Sequence, residues 1–202
     1  MKWNMLHQVS LLTCIFVLLN GCGFAEHFKR TYQEAGETYF APENLGADTQ
    51  NTGLLLVDAV TKHMLDTVRL FGVAIASIED PGKTIIIGSF QTGGFLSQRS
   101  GVVVIPNLQP GTYKIVKTRT QTVHEWETLY MPTSKEFEIE ISAGKPVYFG
   151  QIQIRWLFPS TDREIRIQYD KKREAESWKM VVDKYSESPW ITIINTHIKS
   201  LE

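Results

Sequence analysis

The residues of this 202-residue chain that could do chemistry begin with two cysteines, Cys14 and Cys22. Cys14 lies in a short apolar stretch, Val9 to Leu19, that follows one early lysine. This stretch is typical of the h-region of a secretory signal, because crossing a bilayer requires about 20 apolar residues. Cys14 is therefore expected to be removed with the signal, which makes a disulfide, a thiolate metal site and a catalytic cysteine implausible.

The segment Leu19-Asn20-Gly21-Cys22 resembles the lipobox of bacterial lipoproteins. In that family the cysteine thiol receives a diacylglycerol, the signal is cut just before the cysteine, and the new amino terminus is acylated. The resemblance implies a signal peptide over residues 1–21 and a membrane anchor at Cys22, where each buried CH₂ contributes about 0.8 kcal/mol. In Gram-negative members an Asp after the cysteine favours the inner membrane, so Gly23 favours the outer membrane. The alternative is that Cys22 is a buried core thiol behind a conventional signal or an uncleaved anchor.

The histidines and acidic rows form no recognised catalytic or metal motif. The segment starting at His124 reads HEWE and lacks the second histidine of a zinc-protease helix. The acidic residues of Glu136–Ile141 alternate with apolar ones and are interpreted as the solvent face of a strand. No nucleophile elbow, phosphate-binding loop or dinucleotide fingerprint occurs. We therefore predict a non-enzymatic protein with no metal and no cofactor. The histidines after the signal are His27, His63, His124 and His197.

Aromatic residues on one strand support a carbohydrate- or peptidoglycan-binding alternative. Trp126 and Tyr130 fall on the same face of the segment Val123–Tyr130, together with His124. Exposed Trp and Tyr rings can stack against the apolar C–H face of a pyranose, so these three residues are the candidate ligand-binding residues. The alternative is that such rings fill the core, as we expect for Trp156, which shares a strand face with isoleucines.

Short apolar or alternating runs between turn signals predict an antiparallel β-sandwich, of the prealbumin or immunoglobulin type, over residues 53–202. Residues 22–52 are predicted to be a lipidated tether and spacer. Val68–Ile78 is nearly continuous apolar, which predicts a central strand covered on both faces. Strands are predicted over Leu54–Ala59, Val68–Ile78, Thr84–Phe90, Val102–Ile105, Thr112–Thr118, Val123–Tyr130, Glu136–Ile141, Val147–Leu157 and Glu164–Tyr169.

Turn residues support this reading. Pro81-Gly82 and Pro110-Gly111 each place proline and glycine at the central positions of a type II turn. That turn requires a positive φ at its second central residue, so a positive φ is expected at Gly82 and Gly111.

One helix is predicted on the sandwich, over residues 170–186, with Asp170 as its N-cap. The basic residues 171–173 occupy its first turn, where the helix dipole disfavours positive charge, and they are expected to face solvent; the alternative is a contact with anionic lipid or phosphate. Pro189 is expected to stop the helix, and Trp190–Ile194 is predicted to be a last strand or docking segment. The face expected to pack on the sandwich comprises Ala175, Trp178, Val182 and Tyr185.

The run Leu108-Gln109-Pro110-Gly111-Thr112-Tyr113 resembles the corner of the carboxypeptidase regulatory-like domain, a prealbumin-like sandwich also grouped with starch-binding-like folds. Ala143–Gly150 is similar to a strand entry in uncharacterised bacterial lipoproteins that carry such sandwiches. The resemblance covers residues 53–169 in fold. It implies an accessory or binding module and supplies no catalytic residues to transfer.

Composition restricts the class of partner. The chain carries 21 basic and 22 acidic residues and a formal net charge of −1, which argues against a nucleic-acid partner. With 43% hydrophobic and 21% charged residues, it is neither a disordered chain nor a polytopic membrane protein. The sequence thus predicts a membrane-anchored envelope lipoprotein, with another envelope protein or a glycan as its candidate partner.

Overall fold

A computed structural model describes residues 41–62, 69–88, 100–121, 126–156 and 163–202, all within the second of two units of the chain, Tyr39–Glu202. The signal peptide, the lipobox with Cys22, and three of the four histidines singled out above lie outside the described residues. Those three histidines are His27, His63 and His124.

Nine strands are present in the described residues, one for each predicted strand. The strand predicted over Glu136–Ile141 starts later, at Glu138, because Lys135–Phe137 forms a 3-10 turn. The strands are β1 (Gly53–Lys62), β2 (Arg69–Ser77), β3 (Thr84–Gly88), β4 (Ser100–Leu108), β5 (Gly111–Gln121), β6 (Trp126–Tyr130), β7 (Glu138–Ile141), β8 (Pro146–Trp156) and β9 (Arg163–Gln168).

The strands form the two sheets of a β-sandwich, which confirms the predicted fold class. Sheet A has the order β4-β1-β8-β9, and sheet B has the order β3-β2-β5-β6, with β7 also paired to β5. Strands β1 and β8 pair in parallel, so the expectation of a wholly antiparallel sandwich is wrong at this pair. Parallel pairing requires a long connection, and the six strands and the 3-10 turn between β1 and β8 provide one.

The core between the sheets is built from the inward positions of both. The largest fully buried side chain in it is Phe137, which stacks on Phe149 at a centroid distance of 6.5 Å. Aliphatic residues of both sheets surround this pair, among them Val57, Ile75 and Ile115. Fully burying each such side chain contributes about 1.5–3 kcal/mol, so this core supplies most of the driving force for sandwich formation.

The predicted helix is confirmed as α1 (Lys171–Lys184). Asp170 caps it by accepting hydrogen bonds from the backbone N–H groups of Lys172, at 2.8 Å, and Arg173, at 3.4 Å. Of the residues predicted for the packed face, Ala175, Trp178 and Tyr185 are buried, and Val182 is only half-buried. Val181 is buried in place of Val182.

The expectation of a last strand after Pro189 is wrong, because a second helix, α2 (Trp190–Leu201), forms there. The alternative of a docking segment is confirmed, because this helix packs against strand residues of sheet A. The β-branched residues at its start favour a strand locally. Trp190, Ile194 and Ile198 nevertheless recur at helical spacing and are all buried, so tertiary packing outweighs the local preference. None of the helices in the described ranges is long and apolar enough to cross a bilayer.

Both helices pack on the outer face of sheet A, the face turned away from sheet B. A second apolar cluster joins the helices to the first residues of β1 and β8 and to the middle of β4. Leu45, in the segment predicted as a spacer, is fully buried in this cluster, and Tyr185 donates a hydrogen bond to the Pro42 carbonyl at 2.8 Å. Residues 41–45 are therefore held against the helix layer. The strand residues of the cluster are Leu54, Leu56, Val102, Val104 and Tyr148.

Of the two predicted type II turns, one expectation about φ is confirmed and one is wrong. Gly111 has a φ of +151°, although it already belongs to β5. Gly82 has no positive φ. Its turn is closed by a 3.0 Å hydrogen bond from the Lys83 N–H to the Asp80 carbonyl, and a type I turn accepts glycine at this position without a left-handed conformation.

Candidate functional site

A buried carboxylate joins sheet A to helix α1. Asp58 on β1 has no exposed surface, and its Oδ2 accepts hydrogen bonds from Arg173 Nε and from Gln151 Nε2, the latter at 3.1 Å. Ser177 Oγ lies 3.5 Å from the same oxygen. A buried charge requires a partner of opposite sign, and the hydrogen bond to Asp58 raises the pKa of the Arg173 guanidinium. We call Asp58, Gln151, Arg173 and Ser177 the sheet–helix joint.

The sequence led us to expect that Arg173 would face solvent with its neighbours in the first turn of α1. That expectation is wrong for Arg173. Lys171 and Lys172 are exposed, whereas the side chain of Arg173 is only 27% exposed and pairs with Asp58. The attraction to a buried carboxylate outweighs the unfavourable helix dipole, which is worth about 0.3–1 kcal/mol at a surface position.

A second buried carboxylate, Glu174, ties β9 to both helices. Tyr169 donates its hydroxyl to Glu174 Oε2, and His197 Nε2 on α2 lies 2.7 Å from Glu174 Oε1. The hydrogen bond to Glu174, followed by burial, raises the pKa of Tyr169 to about 12. The His197 ring also meets Trp178 edge-on at 6.1 Å between centroids. His197, examined as a metal ligand on sequence grounds, is thus a packing and hydrogen-bonding residue.

Beyond the joint, the outer face of sheet A carries a row of amides. The register places Gln151 on β8 opposite Gln168 on β9. Gln153 Nε2 donates to Gln151 Oε1 at 3.1 Å and also to Gln168 Oε1. These amides are half-buried or exposed, so they form a hydrogen-bonded polar surface at the sheet edge.

Tyr169 directly follows Gln168 at the end of β9, and its side chain is 60% exposed. Its hydroxyl is bound by Glu174, and its ring packs at 5.8 Å from the ring of Tyr148, so its position is fixed at two points. We call Gln151, Gln153, Gln168 and Tyr169 the glutamine platform. Its amides can donate and accept hydrogen bonds and its ring can stack, which suits binding rather than catalysis.

The predicted ligand-binding residues lie on sheet B. Tyr130 is 75% exposed and sits opposite Lys117 in the β5–β6 register, so its ring is available as the sugar-binding hypothesis requires. Trp126 begins β6, but its side chain and the whole of His124 lie outside the described residues. The same holds for the side chain of Trp156, so its expected place in the core stays a prediction.

A cavity of about 700 Å³ lies between residues 43–47 and the turn that joins the helices, residues 184–189.

Within the ranges that the structure describes, no three His, Cys, Asp or Glu side chains converge as a metal centre would require.

Two anomalies in the sequence point to the joint that we did not predict. Asp58 interrupts the otherwise apolar run Leu54–Val60, and Arg173 stands at a helix position that disfavours a cation. The two charges explain each other: the carboxylate of Asp58 in a buried strand requires a partner of opposite sign, and Arg173 on the covering helix provides it. The amides carry no comparable signal, since their alternation with isoleucines is typical of any half-exposed strand.

No protein-family model and no curated protein matches this chain. Among solved structures, it is similar to a candidate cell adhesion protein from Bacteroides fragilis, at 10% identity and a TM-score of 0.44 over 59% of this chain and 46% of that one. It is also similar to a leucine-rich repeat protein from Bacteroides thetaiotaomicron, at 12% identity and a TM-score of 0.34 over 67% of this chain and 16% of that one. The chain thus spans less than half the length of either protein, and at these TM-scores neither likeness assigns it a family or a function.

Proposed function

We propose that this protein is an envelope lipoprotein, anchored in the membrane through lipid on Cys22, whose β-sandwich is a non-enzymatic binding or structural module. The observation that carries the proposal is the lipobox-like segment Leu19-Asn20-Gly21-Cys22 directly behind an h-region. Gly23 after the cysteine favours the outer membrane. Lipidation also accounts for a single thiol in a secreted chain, which otherwise requires an intermolecular partner.

The geometry of the domain supports a binding or structural role. The buried carboxylates Asp58 and Glu174 are both engaged in contacts that hold the helices on sheet A. The open surface nearby presents amides and an aromatic ring, which recognise ligands through hydrogen bonds and stacking and have no nucleophilic or acid–base role at neutral pH.

Replacing the anchor residue tests the lipoprotein proposal. The two cysteines provide a matched pair, since Cys22→Ala removes the lipidated thiol and Cys14→Ala changes only the h-region. After labelling of cells with a palmitate analogue, we expect label and membrane fractionation for wild type and Cys14→Ala. Cys22→Ala should be unlabelled and either uncleaved or released from the membrane. A processed, membrane-bound Cys22→Ala protein would contradict the proposal.

A second candidate is that the module binds a glycan or peptidoglycan through Trp126, Tyr130 and His124. The observation that favours it is the 75% exposure of Tyr130. Sedimentation with purified peptidoglycan sacculi tests it directly: Trp126→Ala and Tyr130→Ala should each reduce the bound fraction, with Thr128→Ala on the same strand as the control. Crosslinking in cells followed by mass spectrometry tests the alternative that the module binds another protein of the envelope.

A further inference from the structure

We propose that the glutamine platform binds a saccharide, with the ring of Tyr169 stacked on the C–H face of a pyranose and the amides of Gln153 and Gln168 bonded to its hydroxyls. The inference deepens the proposed binding role and rests on it, but it does not rest on the lipid anchor. It places the sugar on sheet A, whereas the sequence directed attention to Trp126 and Tyr130 on sheet B.

The first support is that the ring of Tyr169 is both open and held in place. Its hydroxyl donates to Glu174, a residue with 1% exposed surface, and its ring contacts Tyr148, whose exposure is 7%. Both anchoring groups are themselves buried and therefore rigid. A ring fixed in this way loses little conformational entropy when a ligand stacks on it, which favours binding.

The second support is that the buried carboxylate sets the direction of every amide. Asp58 Oδ2 accepts hydrogen bonds from Arg173 Nε and Gln151 Nε2, so Gln151 presents its Nε2 inward and its Oε1 outward. Gln153 then uses Nε2 to reach the oxygens of Gln151 and Gln168. Within the described ranges, the hydrogen bonds among these glutamines leave the Oε1 acceptor of Gln153 and the Nε2 donors of Gln168 for a ligand.

The third support is that this surface offers neutral groups of both kinds. A sugar hydroxyl donates and accepts, so neighbouring hydroxyls can satisfy an amide oxygen and an amide N–H at the same time. Among the charged side chains near the amides, Arg166 Nε donates to Glu164 Oε1 at 2.9 Å, and Arg155, which lies opposite Glu164 in the register, is exposed. The amides themselves are neutral, so a neutral polyol with one apolar face can satisfy their donors and acceptors.

A binding titration of the full lipidated chain, held in phosphatidylcholine nanodiscs that contain no sugar, tests the inference. The probes are cellohexaose and chitohexaose, which share a pyranose C–H face and differ in the acetamido group. We expect wild type to bind at least one of them. Tyr169→Ala should weaken that binding about tenfold or more, which corresponds to about 1.4 kcal/mol. Tyr169→Phe keeps the ring and should stay within about threefold, and Gln168→Ala should lose about threefold to tenfold.

Ile78→Ala is the control, because Ile78 is an exposed apolar side chain that follows β2 of the other sheet, and its affinity should equal that of wild type. Tyr130→Ala is titrated in parallel to report on the Trp126–Tyr130 surface. Binding of neither oligosaccharide, or an unchanged affinity for Tyr169→Ala, would overturn the inference. Loss on Tyr130→Ala alone would also overturn it and would support the Trp126–Tyr130 surface instead. Circular dichroism confirms that each variant is folded, and the Cys22 labelling assay reports separately on the anchor.

Discussion

The two outer faces of the sandwich differ in whether their outward-pointing residues are exposed or covered by helices. On sheet B the outward positions of the edge strand β6 hold Thr128 and Tyr130, both exposed. On sheet A the outward positions change character along each strand: Leu56 on β1 lies under the helices, and Asp58, two residues later, starts the polar half. The helix layer therefore defines the platform, because it covers the apolar half of sheet A and stops where the amides begin.

The two exposed tyrosines, Tyr169 and Tyr130, are not equivalent. Tyr169 is bound at its hydroxyl by Glu174, which belongs to the helix layer. Tyr130 lies at the end of β6 on sheet B, and its side chain is 75% exposed. A ring held by a covering layer is preorganised for stacking, and a ring on a bare sheet has to be ordered by its ligand.

The largest effect is expected from breaking the sheet–helix joint. Asp58→Ala leaves Arg173 beside the sheet without its counter-charge, so the free energy of unfolding should fall by about 3–5 kcal/mol. Urea unfolding measures it. Glu164→Ala, which removes the exposed partner of Arg166, is the control and should cost at most about 1 kcal/mol. Equal costs for the two variants would mean that the joint contributes no more than a surface ion pair.

A slightly smaller effect is expected at the edge of the helix layer. Leu45 is fully buried among helix residues, so Leu45→Ala should lower the free energy of unfolding by about 2–4 kcal/mol through lost burial and a new cavity. Ile78→Ala provides the contrast on a residue that is 42% exposed, where we expect about 1 kcal/mol or less. If Leu45→Ala were as mild as Ile78→Ala, the segment would not be part of the folded unit.

The sandwich was accessible from the sequence because strand signals are local. Alternation in Glu138–Ile141 and proline–glycine corners mark strands and turns without knowledge of the partner strand. The run Val73–Ala76 is indeed buried, as expected for a central strand. The layer on sheet A was harder to predict: Leu54–Val57 is equally continuous and buried, but which of two such strands the helices cover depends on distant packing.

The second helix and the platform could not be derived from short windows of sequence. Trp190–Ile194 alone looks like a strand, and its helical period emerges only when Ile198 is included. The direction of the amides depends on Asp58, which is 93 residues from Gln151 in sequence. Long-range contacts of this kind decide a site, and composition and periodicity do not contain them.

A moderate effect is expected at the corner that leads into β5. Gly111 has a φ of +151°, and a Cβ there would lie 3.4 Å from Glu79 Oε2, so Gly111→Ala should cost about 1–3 kcal/mol. Gly82→Ala is the matched control: its φ is not in the left-handed region and its Cβ would lie 3.6 Å from Asp80 Oδ1. It should be neutral or stabilise by up to about 1 kcal/mol. A harmless Gly111→Ala would show that the corner is not strained.

The smallest and most specific effect is expected in the titration of Tyr169. Glu174 raises the pKa of Tyr169 to about 12, so Glu174→Gln should move that pKa down towards the ordinary value of about 10. Because the folded-state pKa is raised, the associated stabilisation is present below about pH 10 and is lost as the pH rises through about 12. Carbon-13 NMR of the tyrosine Cζ atoms measures the shift, with Tyr169→Phe to assign the signal. Tyr185, whose pKa burial alone raises to about 12, should not move in Glu174→Gln, and a parallel shift of both residues would show that the substitution loosens the helix layer instead of removing one hydrogen bond.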